Sequence, residues 1–204
     1  MNKTEIIPSI IANNQKELDK IFDKVRIAPT LHLDVMDGLY VPEKSLAFDF
    51  KLIRHNYEAH LMTRQPEIFI RKHNSEIKTF IIHPEAIHNV DALIDFVHSV
   101  RCRIFLALKP SVPVSAIRKY LRKIDGVLVM TVQPGKYGAP FIRGMIGKIR
   151  QLRGNRKLVI EVDGSVNDKT IGLLKQSGVV RFSVGSYIQK SKDVKKAIET
   201  LETA

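Results

Sequence analysis

A histidine and a carboxylate stand side by side in an otherwise apolar run of this chain. In Leu31-His32-Leu33-Asp34-Val35-Met36-Asp37-Gly38, strand alternation puts His32 and Asp34 on one face, two residues apart. Neither suits a dry core without a partner, because burying an unpaired polar or charged group is costly. Two later segments repeat the signal. Glu58-Ala59-His60-Leu61-Met62 brings a second histidine, and Val159-Ile160-Glu161-Val162-Asp163-Gly164 a second carboxylate. Two imidazoles and two carboxylates at the ends of three strands can converge on one divalent ion, for which Zn, Fe, Mn and Co all qualify. Each member also has a blander reading. A lone strand histidine is commonly a satisfied core residue, His83 and Asp37 can be structural, and Asp37-Gly38 and Asp163-Gly164 both read as turns. The coincidence of all four at strand ends is what favours the metal.

The second half of the chain adds features suited to an anion. Gln133-Pro134-Gly135 with Gly138, then Gly164-Ser165, then Gly185-Ser186 follow three successive apolar runs. Glycines at such places let backbone N–H groups approach a phosphate. Each pair alone is an ordinary turn; their placement after the last strands is the more specific sign.

These groups meet only if the elements that carry them surround a common axis. Short β-branched runs occur at Ile6–Ile11, Thr30–Val35, Tyr57–Met62, Lys78–His83, Arg103–Leu108, Val127–Val132, Leu158–Val162 and Val180–Val184. Between them lie helical stripes: Leu18, Ile21, Phe22 and Val25; Val90, Leu93, Ile94 and Val97; Ile117, Tyr120 and Leu121; Ile146, Ile149 and Leu152; Ile171 and Leu174; Val194, Ile198 and Leu201. Near-continuous apolar strands alternating with amphipathic helices predict a parallel sheet covered by helices. Eight strands predict closure into an α/β fold of the (β/α)8 (TIM) barrel type, spanning residues 1–204 as a single domain, with reactive groups at the C-terminal ends of the strands.

The totals set outer bounds. The 204 residues are 44% hydrophobic and 26% charged, an ordinary globular balance for one sizeable core. No apolar run approaches membrane-spanning length, and Met1-Asn2-Lys3-Thr4-Glu5 lacks a signal-peptide pattern. Cys102 is the sole cysteine, which excludes an internal disulfide and fits a reducing, cytoplasmic setting. The net charge of +12 would attract any polyanion. The cations are scattered, however, and the densest cluster (Arg118-Lys119 with Arg122-Lys123) lies within a helical stretch without interleaved aromatics. The reading is a solvated basic surface rather than a nucleic-acid face.

From Pro8-Ser9-Ile10 to Gly185-Ser186 the chain resembles the ribulose-phosphate 3-epimerase family. The resemblance runs through Leu31 to Gly38, Val41-Pro42, His60-Leu61-Met62, His83-Pro84-Glu85-Ala86, Val129 to Gly135 and Glu161-Val162-Asp163-Gly164. It implies a barrel of the ribulose-phosphate-binding type and a divalent metal held by His32, Asp34, His60 and Asp163. Asp34 and Asp163 then stand where the family keeps its two acid/base carboxylates. Ser9, Met36, Met62 and Met130 stand at positions lining the substrate pocket, with the Gly135, Gly138, Gly164, Ser165, Gly185 and Ser186 turns as the phosphate end. The implied reaction inverts the hydroxyl-bearing carbon next to a ketone, so one face of the substrate needs a base and the other an acid. No organic cofactor is implied. The family also implies a homo-oligomer, dimer or hexamer, with a small phosphosugar as substrate.

The substrate end departs from the family pattern. Pro134-Gly135-Lys136-Tyr137-Gly138-Ala139 replaces Pro-Gly-Phe-Gly-Gly-Gln, which bears on phosphate grip and leaves Lys136 as an alternative source of positive charge. Asp163-Gly164-Ser165 replaces Asp-Gly-Gly, a variant that, with His83-Pro84-Glu85, resembles the allulose-6-phosphate 3-epimerase branch. Glu58 and Glu43 replace a usual acid and a common Asn. The expected activity is interconversion of D-ribulose 5-phosphate and D-xylulose 5-phosphate, with a hexulose phosphate such as D-allulose 6-phosphate as the alternative. Further rivals are a sister barrel (a hexulose-phosphate synthase or decarboxylase), against which the pair His32 and His60 speaks, and a non-catalytic phosphate- or nucleic-acid-binding barrel.

Overall fold

The structure, a computed structural model, describes residues 4–135, 138–154 and 158–204. The strands are β1 (Glu5–Ile10), β2 (Thr30–Asp37), β3 (Lys44–Ser45), β4 (Asn56–Met62), β5 (Thr79–Ile82), β6 (Arg103–Leu108), β7 (Gly126–Met130), β8 (Val159–Asp163) and β9 (Arg181–Val184). The short β3 pairs antiparallel with the end of β2; the other eight are parallel and run β1-β9-β8-β7-β6-β5-β4-β2. β1 also pairs with β2, through Ser9 opposite His32, so the sheet closes into a (β/α)8 barrel. All eight expected strands are present, each end within two residues of its predicted place.

The helices α1 (Gln15–Val25), α2 (Pro66–His73), α3 (Val90–Ser99), α4 (Met145–Leu152), α5 (Ile171–Gln176), α6 (Ser186–Gln189) and α7 (Val194–Thr203) follow strands around the outside. Polar caps start three of them. Asn14, Asn89 and Asp193 accept from the backbone N–H groups of Glu17, Ala92 and Lys196, which satisfies donors a helix start leaves unpaired. Their predicted stripes are buried: Leu18, Phe22 and Val25 on α1, and Val90, Leu93, Ile94 and Val97 on α3. The stripe containing Ile117 and Tyr120 differs, forming a 3₁₀ helix over Val114–Tyr120. Its buried residues Val114, Ile117 and Tyr120 recur every third position, the 3₁₀ period, and Pro113 precedes them. Helix α2 had no clear stripe because Pro66, Ile70 and His73 are its only buried positions.

Two core regions result. Ile6, Ile10, Leu33 and Val35 belong to the large apolar layer between strands and helices. Inside the barrel, Ile81, Phe105, Ala107, Leu128 and Met130 fill one half. The other half is polar: His32, Asp34, Glu58, His60 and Glu161 are all buried. Among the described residues, no helix is long and apolar enough to cross a membrane.

Candidate active site

Register brings the candidate residues together. Asp34 on β2 lies opposite His60 on β4, and His32 lies opposite Glu58 one layer below. His60 Nδ1 is 3.2 Å from Asp34 Oδ1 and 4.0 Å from Asp163 Oδ2, which reaches in from β8. His32 Nε2 is 3.4 Å from the same Asp34 oxygen. Four side chains from three strands thus gather at the C-terminal end of the barrel, Asp163 standing beside the other three through its contact with His60. His32, Asp34 and His60 each offer a ligand atom within 4.8 Å of the others.

The chemistry of this donor set fits a divalent cation. His32 Nε2 is fully buried without a hydrogen-bond partner and faces Asp34, while its Nδ1 lies 2.6 Å from Glu58 Oε1. A ring with one nitrogen on a carboxylate and the other turned toward a second proposed ligand, Asp34, has the form of a prepared ligand. A second acidic group, His32 with Glu58 and Glu161, also lies within 4.8 Å, but the guanidinium of Arg181 pairs with both carboxylates.

The two aspartates are driven apart electrostatically. Burial works against ionisation of Asp34, but hydrogen bonds and charge from His32 and His60 hold its carboxyl well below the usual range. Burial, then the charge of Asp34, pushes Asp163 up to about 6. Burial opposes a charge on His32 too, yet Asp34, Glu161 and Glu58 outweigh it and raise that imidazole. Carboxylates with opposed shifts facing one space can serve as base and acid.

Above them opens a cavity. Asp34 and Asp163 line it, as do all ten residues expected at the substrate: Ser9, Met36, Met62, Met130, Gly135, Gly138, Gly164, Ser165, Gly185 and Ser186. Met36 and Met62 pack with Val41 into an apolar wall. Gly164 has φ +105, and a Cβ there would lie 2.5 Å from Val132 Cγ2, so both conformation and space select glycine. Ser165 has φ 49, and its hydroxyl donates to the carbonyl of Ala139. Lys136 and Tyr137 lie outside the described residues. Asp37 has the structural role its turn suggested, accepting from the backbone N–H groups of Leu39, Tyr40 and Arg64.

Several partners were not assigned to the site from sequence, although Glu58, His83 and Glu85 were named in the resemblance. Glu58 and Glu161 were visible as acids in apolar strands, a signal that alternation could have turned into a site reading. His83 lies with Nε2 2.9 Å from His60 Nε2, and its Nδ1 is 3.6 Å from Glu85 Oε1. Tyr40 Oη donates to Glu85, and Lys109 Nζ pairs with it at 2.9 Å. Tyr40, Glu85 and Lys109 are far apart in sequence and no local pattern links them.

Comparison with known proteins identifies a family. Residues 5–189 match the model of the ribulose-phosphate 3-epimerase family. Ribulose-phosphate 3-epimerase of Schizosaccharomyces pombe is 30% identical over the whole chain and 95% of its own length. The Helicobacter pylori J99 protein of the same name is 32% identical over 97% of this chain and 96% of its own. Among solved structures, a mutant tryptophan synthase α-subunit of Pyrococcus furiosus superposes with TM-score 0.71 at 14% identity, covering all of both chains. Orotidine 5'-monophosphate decarboxylase of Sulfolobus solfataricus gives 0.66 at 12% identity, over 98% of this chain and 97% of that one. These distant structures share the barrel; the full-length sequence match is narrower, and by it the chain belongs to the ribulose-phosphate 3-epimerase family, whose members are isomerases.

Proposed function

We propose that the protein is a metal-dependent 3-epimerase that interconverts D-ribulose 5-phosphate and D-xylulose 5-phosphate. One observation carries the reading: Asp34 and Asp163 come from strands separated by β1 and β9, line the same cavity, and both lie beside His60 Nδ1. Inversion at C3 needs a base on one face of the substrate and an acid on the other. Asp34, held ionised, takes the C3 proton and leaves an enediolate; Asp163, more easily protonated, returns a proton from the opposite side. In the reverse direction the two exchange roles.

His32, Asp34, His60 and Asp163 would hold one divalent ion, Zn, Fe, Mn or Co. When bound, it supplies positive charge beside the ketone and hydroxyl oxygens, where negative charge develops. Met36, Met62 and Met130 cover the sugar and exclude water. Backbone N–H groups around Gly135, Gly138, Gly164, Ser165, Gly185 and Ser186 receive the phosphate. The same reading takes a phosphosugar, not nucleic acid, as the partner, a homo-oligomer as the assembly and the cytoplasm as the compartment.

The second reading is 3-epimerisation of a hexulose phosphate such as D-allulose 6-phosphate. Ser165 favours it, because a side chain stands at the phosphate end where the five-carbon enzymes carry glycine. Proton NMR in D2O with metal-loaded protein separates the two. Deuterium at C3 of ribulose 5-phosphate with formation of xylulose 5-phosphate, both lost on chelation, is the expected result. Exchange with allulose 6-phosphate alone would move the assignment to the second reading. Silence with both sugars, despite bound metal, would refute epimerisation.

A further inference from the structure

Beneath His32 the barrel interior holds a buried ion cluster that the proposed reaction does not use directly. Arg181 on β9 pairs with three carboxylates: Glu161 at 2.9 Å through Nε, and Glu5 and Glu58 through its two terminal nitrogens. Register explains the convergence, since Arg181 lies opposite Glu5 on one side and Glu161 on the other. Glu58 and Glu161 side chains are 1% and 0% exposed, and Arg181 is 13% exposed. Among the described residues, no other lysine or arginine pairs with either buried glutamate.

Such a cluster is an expensive way to fill a barrel. Bulky aliphatic residues normally occupy this layer, and well-packed apolar replacements of buried ion pairs are often neutral or stabilising. The opposite half of this barrel uses that apolar solution, with Ile81, Phe105 and Leu128. What distinguishes the charged half is where it ends. Glu58 Oε1 lies 2.6 Å from His32 Nδ1, and Glu161 Oε1 lies 3.5 Å from the same nitrogen. The acceptor on Nδ1 fixes that ring's orientation and leaves Nε2 turned toward Asp34.

We propose that Arg181 is a positioning residue for the metal-binding histidine, its guanidinium fork holding Glu58 in place against His32 Nδ1. The proposal rests on the metal site described above. A fork is needed because one side chain must meet three carboxylates at once, and a lysine ammonium on a flexible stem cannot reproduce that geometry.

The sign of the effect separates positioning from bulk charge. Arg181→Met removes a positive charge near the metal site, and electrostatics alone would tighten binding of a dication. Positioning predicts the reverse. Arg181→Lys keeps the charge and loses the fork, so electrostatics predicts no change and positioning predicts a loss. The test is Co2+ binding to each full-length variant by chelator competition, together with the visible spectrum of the bound cobalt. The expected result is weakening by about tenfold for Arg181→Lys and up to about a hundredfold for Arg181→Met, with altered cobalt bands in both. Should Arg181→Met fail to fold, Arg181→Lys decides alone. Cobalt affinity within about twofold of the parent and an unchanged spectrum in Arg181→Lys would overturn the proposal, even if thermal stability fell. A parent protein that binds no cobalt would instead overturn the metal reading, and this inference with it.

Discussion

The Nε2 atom of His60 lies 2.9 Å from the Nε2 atom of His83, and only one of them can donate. His60 turns Nδ1 toward Asp34 and Asp163, and with an ion on that nitrogen its Nε2 would carry the proton and His83 would accept it. Burial pushes His83 down to about 4, which keeps it neutral and able to accept near pH 7. His83→Phe removes that acceptor and leaves a buried N–H unpaired. Metal affinity should fall by about tenfold, with a parallel loss in kcat/KM. Isothermal titration of the apo-variant with Zn2+ checks the first part and a coupled epimerase assay the second.

Asp34→Asn and Asp163→Asn should each reduce kcat by about a thousandfold or more, the range for a positioned acid or base. Both residues are also proposed ligands, so metal content is to be measured in each variant by atomic emission. Substantial turnover by either metal-loaded variant would remove the two-carboxylate assignment.

Metal binding should weaken as pH falls through about 6. Burial and Asp34 raise the Asp163 carboxyl to about 6, and carboxylates raise His32, so both groups take up protons that compete with the ion. The sign for folding follows from the same shift. Asp163 holds more protons folded than unfolded between its usual carboxyl range and about 6, so its contribution to metal-free stability declines as pH rises through that window and is level above it. The ion takes the place of that proton, and its stabilising effect therefore grows with pH. A larger Zn2+-induced rise in Tm at about pH 7.5 than at about pH 5.5, with proton release on binding, is the expected result.

Gly164→Ala should damage both stability and phosphate binding. Its φ of +105 disfavours any side chain, and the added Cβ meets Val132. The expected cost is on the order of 1–3 kcal/mol of unfolding free energy, with KM raised more than kcat is lowered. Chemical denaturation and steady-state kinetics measure the two separately.

Much of this protein is local in its sequence. Strand-length apolar runs alternating with amphipathic stripes dictate a parallel barrel, because each strand must be covered by the helix beside it. The period of two in β2 likewise sets His32 and Asp34 on one face, and the Gly-rich turns after β7, β8 and β9 mark where an anion can approach. The 3₁₀ segment at Val114–Tyr120 was less legible, since a three-residue and a 3.6-residue period are hard to tell apart over two turns. Other features exist only once the barrel closes. Arg181 meets Glu5 from 176 residues away because β1 and β9 become neighbours at closure. Glu85, Tyr40 and Lys109 meet at the mouth because loops from different strands share one rim. Short-range sterics and apolar periodicity are enough to say which elements form and which of their faces carry donors. They say nothing of which nitrogen of His32 turns toward Asp34, or why Asp34 and Asp163 titrate apart, because both depend on distances and burial that barrel closure creates.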